Sequence, residues 1–154
     1  MKIYLAARYS MHPEMQGVRD VLTVFGHEIT SRWIDLHGGD QLESTTSAQL
    51  NSHPEAVAEF GLHDIEDIEA ADTVISFTAG GGGKGGRHVE FGYGLALMKR
   101  MIIVGPRENV FHTLPCVKHY PDWPRLAAAL APMSAHGVDF RTFKEAEKSQ
   151  QEES

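Results

Sequence analysis

The residues best suited to chemistry lie in one stretch, residues 79–96, AGGGGKGGRHVEFGYGLA. Six glycines and Lys84 precede Glu90, and Arg87 stands about one helical turn ahead of that glutamate. A carboxylate in the first turn of a helix gains about 0.3–1 kcal/mol from the helix dipole, so a surface role is the plain alternative for Glu90. Gly86 and Gly92 flank it, however, and glycine lets other backbone or a ligand approach where a side chain would block it. A positioned carboxylate beside an anion-binding loop suits covalent catalysis on a sugar carbon. Lys84 and Arg87 add two cations beside the N–H groups of a helix start, a combination that favours a phosphate or another anion. Loop flexibility and solvated charge compete as explanations of the same residues. The loop is not a Walker A motif, because Gly85 rather than Ser or Thr follows Lys84. It is also a poor dinucleotide fingerprint: a glycine run matches that pattern trivially, and this one follows a third strand rather than a first.

A site of this kind needs a strand before the loop and a helix after it. TVISF, Thr73–Phe77, is short, β-branched and apolar, as a buried parallel strand should be. Val89, Phe91, Leu95, Ala96 and Met98 then begin a helical pattern. The junction therefore falls at the carboxyl edge of an α/β sheet, where ligands bind.

The other elements follow from the same reasoning. KIYLAA, residues 2–7, opens the chain as a strand expected at the centre of the sheet, with Tyr4 inside it and Arg8, Tyr9 and Ser10 at its carboxyl end. Residues 14–25 carry Met15, Val18, Leu22 and Phe25 at helical spacing and are closed by Gly26; residues 27–30 form a second strand. Residues 31–52 read as a long irregular insertion in which Trp33 either anchors the loop in the core or offers an aromatic platform to a base, and Arg32 is equally open. Pro54–Ala70 resumes helical spacing, with Val57, Phe60, Leu62, Ile65 and Ile68 as core contacts. Its acidic residues Glu66, Asp67 and Glu69 read as a solvated face. Asp64 stands apart from them because it lies near the end of the helix that feeds strand Thr73–Phe77. Residues 101–105 and Val117–Tyr120 supply two more strands, and Trp123–Leu130 a last helix capped by Asp122. This alternation predicts an α/β, doubly wound, flavodoxin- or Rossmann-like three-layer sandwich with a mainly parallel five-stranded sheet. One domain is expected over residues 1–140, with 141–154 a polar, disordered tail.

Composition narrows the function. Fourteen basic against twenty-one acidic residues, a net charge of −7, argue against a nucleic-acid polymer as partner. The absence of a long apolar run argues against a membrane span, and the lone Cys116 with no basic-then-apolar leader leads us to expect a cytoplasmic protein. Nine histidines are scattered without metal-ligand spacing, so neither a metal nor a cofactor is expected.

From KIYLAARYS to IIVGP the chain resembles the nucleoside 2-deoxyribosyltransferase family, including its relatives that hydrolyse deoxynucleoside monophosphates. Three signatures carry the resemblance: the opening strand with Tyr4, the D-I-x-x-I-x-x-A-D stretch from Asp64 to Asp72, and the G-G-R-H-V-E-F-G-Y-G-L-A helix start. The resemblance implies that Glu90, within E-F-G-Y-G-L-A-L, is the nucleophile, that Asp64 serves the leaving base, and that Tyr4 positions the nucleophile. Beside these, Arg8, Ser10, Trp33, Lys84, Gly86, Arg87 and His88 are the expected substrate contacts, with a small nucleoside or nucleotide as ligand and a homodimer or higher homo-oligomer as the assembly. The activity implied is N-glycosidase cleavage of a 2′-deoxynucleoside or its 5′-monophosphate through a glycosyl-glutamate resolved by water. The alternative is deoxyribosyl transfer between bases. The glycine loop is longer than the family pattern, Arg8 replaces a small or polar residue, and the C-terminal end is unlike that of the transferases. A non-catalytic nucleotide-binding module and a flavin or nicotinamide enzyme are the rival classes.

Overall fold

The computed structural model describes residues 1–35, 47–52, 54–80 and 85–132. Five short strands, β1 (Lys2–Ala6), β2 (Glu28–Ile29), β3 (Thr73–Phe77), β4 (Arg100–Val104) and β5 (Val117–Tyr120), form one sheet in the order β2-β1-β3-β4-β5. Every pairing is parallel. The helices between strands are α1 (His12–Val24), α2 (Ser47–Ser52), α3 (Pro54–Ala70) and α4 (Gly86–Ala96), and α5 (Trp123–Leu130) follows the last strand. This is the doubly wound α/β order of flavodoxin-like sheets. The expectation that β1 is the central strand is corrected: β3 lies in the middle, and β1 is its inner neighbour. All five residues of β3 are buried, as its unbroken apolar run requires.

The two-residue period of the strands sorts the core into two layers. Ile3, Leu5, Ile75, Phe77, Ile102 and Val104 meet Met15, Val18 and Leu22 of α1 and Leu126 of α5. Tyr4, Ala6, Val74, Met101 and Ile103 face the other way, toward Ile68 of α3 and Phe91 of α4. Each fully buried aliphatic side chain contributes about 1.5–3 kcal/mol, so both faces of the sheet are firmly held. Gly94 lets α4 lie against β3, since a Cβ there would come within 2.8 Å of Val74 Cγ2.

The element boundaries shift slightly from the sequence reading. Helix α1 begins at His12 with Pro13 in its first turn, and β2 is only two residues long. The 31–52 stretch is not irregular throughout: Arg32–Ile34 form a 3-10 turn and Ser47–Ser52 a helix, while residues 36–46 lie outside the described residues. Leu62, expected in the core, is instead exposed, and so are Val89 and Met98 of the helical pattern after the loop. At about 100° per residue, Leu62 and Val89 fall far round their helices from the buried Ile68 and Phe91. Met98 lies beyond the end of α4 in a left-handed turn at φ 54°. No helix among the described residues is long and apolar enough to cross a membrane. The tail expected from residue 141 lies outside the described residues.

Candidate active site

The strand order changes direction between β1 and β3, so the carboxyl ends of these two strands open a crevice for a ligand. Pairing of Ala6 with Ser76 puts residues 7–11 and the loop after β3 at the same edge. A cleft of about 210 Å³ lies here, lined by Ala7, Tyr9, Trp33, Phe60, His63, Asp64 and Glu90. Asp64 reaches it from α3 and Glu90 from α4. Tyr4 lies on the strand face turned toward those helices and is fully buried beside both carboxylates.

Each of these side chains is held by local chemistry. Trp33 donates from Nε1 to the Leu5 carbonyl at 2.9 Å, which pins its ring to β1 while a face lines the cleft. Both roles weighed for Trp33 are thus compatible with its placement. Arg32 braces the same turn against α3: its Nε contacts Asp67 Oδ1 at 2.7 Å, its backbone N–H donates to Asp67 Oδ2 at 2.8 Å, and its Nη2 contacts Glu66 at 2.7 Å. Asp67 is therefore not a solvated acid but a buried partner. Tyr9 stacks with His12 at 5.5 Å between ring centroids and lies 6.2 Å from Trp33, which makes an aromatic wall beside the carboxylates.

The electrostatics of the cleft centre on the two acids. Burial, followed by the charge of Asp64, pushes Glu90 up to about 8, against weaker pulls from Tyr4 and Arg87. Asp64 is raised to about 6, chiefly by burial. Glu90 Oε2 is enclosed without a hydrogen-bond partner, an arrangement that normally costs free energy. The Tyr4 hydroxyl closes no well-directed hydrogen bond, yet its proximity draws both carboxylates' pKa values down. It lies near both acids without a direct hydrogen bond to either. Its own pKa is raised well above 10, by burial first and then by the Glu90 charge, so it stays a proton-bearing donor. Such a pair titrates as a unit and holds one proton between two carboxyl groups near neutral pH. One acid and one carboxylate side by side is the equipment for acid-assisted displacement.

The expected substrate contacts divide into several groups. Arg8 lies against the loop after β3: a Cβ on Gly80 would come within 2.6 Å of Arg8 Nη2, and Gly80 itself takes φ +90°. Ser10 is exposed in the 3-10 turn Tyr9–Met11 that begins beside Arg8. Arg87, expected as a substrate contact, is engaged within the chain instead of standing free in the loop. Its side chain is 6% exposed, donates from Nη1 to the Phe77 carbonyl at 3.1 Å and pairs through Nη2 with Glu108 at 2.6 Å. His88 faces the same connection, 3.9 Å from Glu108 Oε2. Among the described residues, a Cβ on Gly86 or Gly92 would meet nothing within 4 Å beyond its own stretch of helix. Lys84 lies outside the described residues. The described residues bring together no cluster of three or more metal-ligating side chains.

Sequence reasoning missed Tyr9 and His63 as lining residues and Glu108 as the partner of Arg87. Only adjacency to Arg8 and Asp64 signalled the first two, and nothing local signalled the third. Phe60, expected in the core, lines the cleft instead.

No protein-family model and no curated protein sequence matches the chain. Among solved structures it is similar to the CMP N-glycosidase BcmB of Clostridium botulinum, with a TM-score of 0.55 and 16% identity over 84% of this chain and 98% of that one. It is also similar to the 2-deoxyribosyltransferase of Bacillus psychrosaccharolyticus, with a TM-score of 0.59 and 19% identity over 92% of this chain and 95% of that one. The chain has the α/β fold of the nucleoside 2-deoxyribosyltransferase family.

Proposed function

We propose that the protein cleaves the N-glycosidic bond of a 2′-deoxynucleoside 5′-monophosphate or nucleoside, with Glu90 as nucleophile and water as final acceptor. The observation that carries this reading is the pair Glu90 and Asp64 in one cleft, both with raised pKa, with an unpartnered buried oxygen on Glu90. Breaking the bond builds positive charge at C1′ and the ring oxygen, which an adjacent carboxylate stabilises and traps. In the first step the C1′–N bond breaks, its electron pair stays on the base, the proton held by the carboxyl pair passes from Asp64 to the base, and a Glu90–C1′ bond forms. In the second, water attacks C1′, Glu90 leaves as a carboxylate, and Asp64 takes the water proton. Cationic charge growing at C1′ favours the carboxylate form of Glu90 and leaves the proton of the pair on Asp64. Tyr4 keeps the attacking oxygen aligned.

The remaining residues serve binding. The Tyr9–Trp33 wall offers flat apolar surface to a base. Arg8 and Ser10, with Gly86 and Lys84 of the glycine loop, provide the 5′-phosphate end, where the α4 N-terminus adds its dipole. Arg87 and His88 support that helix start rather than meeting the phosphate directly. The cleft is smaller than the roughly 300–1,000 Å³ typical of ligand pockets, which suits a sugar–base junction held inside with the phosphate at the rim. A CMP N-glycosidase among the similar structures supports a nucleotide substrate and hydrolysis. The deoxyribosyltransferase among them favours the second reading, in which a second base resolves the same intermediate.

The test is chromatography of a nucleoside and nucleotide panel with and without an acceptor base. Release of free base without an acceptor is the expected result, and Glu90→Gln should lower it by several orders of magnitude, each about 1.4 kcal/mol of barrier. Base release only with an acceptor selects the transferase, and no release from any substrate refutes both.

A further inference from the structure

We infer that Glu108 is a positioning residue for Glu90, acting through Arg87, and that this ion pair biases how readily the nucleophile ionises. The inference rests on Glu90 being the nucleophile of the proposed reaction. Its basis is the geometry at the start of α4. Arg87 lies about one turn before Glu90 on the same helix, nearly enclosed, with one N–H on the last carbonyl of β3 and another on Glu108. Glu108 belongs to the connection between β4 and β5 and is itself only 20% exposed. The pair therefore ties three elements together below the catalytic edge.

A second layer fixes Glu108 in turn. Its backbone N–H donates to His112 Nδ1 at 3.2 Å, and Asn109 Nδ2 lies 3.2 Å from His112 Nε2. Asn109 also caps the 3-10 turn Val110–Thr113 by accepting from the Phe111 N–H. The His112 ring packs edge-on against Phe91 at 4.9 Å, and Phe91 is the residue next to Glu90. An ion pair this enclosed differs from a surface one, because removing either partner leaves the other as an uncompensated charge in a poorly solvated site.

The groups facing Glu90 from the elements packed against it are Tyr4 of β1, Tyr9 after it, and His63 and Asp64 of α3. Along its own helix the described cation acting on it is Arg87. Asp64 opposes ionisation of Glu90, and Arg87 favours it. Glu108 offsets part of the Arg87 charge, so its removal strengthens the cationic influence and removal of Arg87 abolishes it. The two substitutions therefore act in opposite directions, a signature that general loosening of the helix start does not produce.

The experiment follows the Glu90 side-chain carboxyl by ¹³C NMR across pH in the ligand-free protein, with Glu90→Gln identifying the resonance. Glu108→Gln is the lead variant because it keeps shape and is the more exposed partner, and Arg87→Met is its counterpart. The midpoint should fall by about half a unit or more in Glu108→Gln, rise in Arg87→Met, and stay near the parent value in Glu108→Asp. An unmoved midpoint in Glu108→Gln, or movement in the same direction in both charge-removing variants, overturns the inference. The pH profile of kcat/KM should shift with the resonance. A resonance that moves while the rate profile does not upholds the coupling and counts against the nucleophile reading instead.

Discussion

Replacing Glu90 with Gln should stabilise the protein, and increasingly so as pH rises. The folded chain holds this carboxyl at about 8 against an ordinary 4.5, and Asp64 at about 6 against 3.8. Between those limits the native state binds more protons than the unfolded one, so stability is fully present below the unfolded pKa and falls as pH climbs through the folded one. Taken alone, the Glu90 gap corresponds to about 5 kcal/mol at about 1.4 kcal/mol per pH unit. Shared titration with Asp64 and the open cleft mouth reduce the realised effect to about 2–3 kcal/mol. For a chain of this length that is about 6–9 °C in melting temperature. Thermal melts at pH 4.5 and pH 9 read it directly: parent and Glu90→Gln should melt together at the lower pH and diverge at the higher, with the variant more stable. An equal difference at both pH values, or a variant less stable at pH 9, refutes the claim that Glu90 is held in strain for its ligand.

Asp64→Asn should slow turnover by about 10²–10⁴-fold for bases that leave poorly and much less for those that leave well, a contrast seen by comparing kcat/KM across a leaving-group series. Arg8→Ala should lower the ratio of specificity constants for a monophosphate over its nucleoside by about tenfold or more, the loss expected for one charge-assisted contact. Gly80→Ala should act in the same direction, because it strains a positive φ and displaces the Arg8 head. Trp33→Phe should cost about 1 kcal/mol of stability through the lost Leu5 bond, read from denaturant midpoints, while Trp33→Ala should also raise KM.

The sequence was most legible where pattern and burial coincide. The unbroken apolar run of Thr73–Phe77 and the capped helix after Asp122 come out at their observed bounds. Glu90 was visible because glycines and a helix start surround it, and Asp64 because its helix must return the chain to β3. Their meeting in one cleft was not, since it depends on α3 and α4 packing side by side on the Tyr4 face of the sheet. The partner of Arg87 was hidden for the complementary reason: a cation beside a glycine loop reads as available to a phosphate until a residue twenty-one positions away folds back to pair with it. Arg32 and Asp67 show the same limit, being adjacent only through a contact thirty-five residues apart. Leu62 was counted with the core positions of its helix, although its angular distance from Ile68 turns it to solvent.

The central claim is that Glu90 bonds covalently to the sugar, and the stereochemistry of solvolysis tests it most directly. Turnover in the presence of methanol, with the anomeric configuration of the methyl glycoside read by NMR, counts the displacements at C1′. Two displacements, the first by Glu90 and the second by solvent, return the configuration of the substrate, so the account predicts the β-methyl glycoside. The α-anomer would mean that solvent attacks the substrate in a single step, with Glu90 acting only as a base, and would contradict the account.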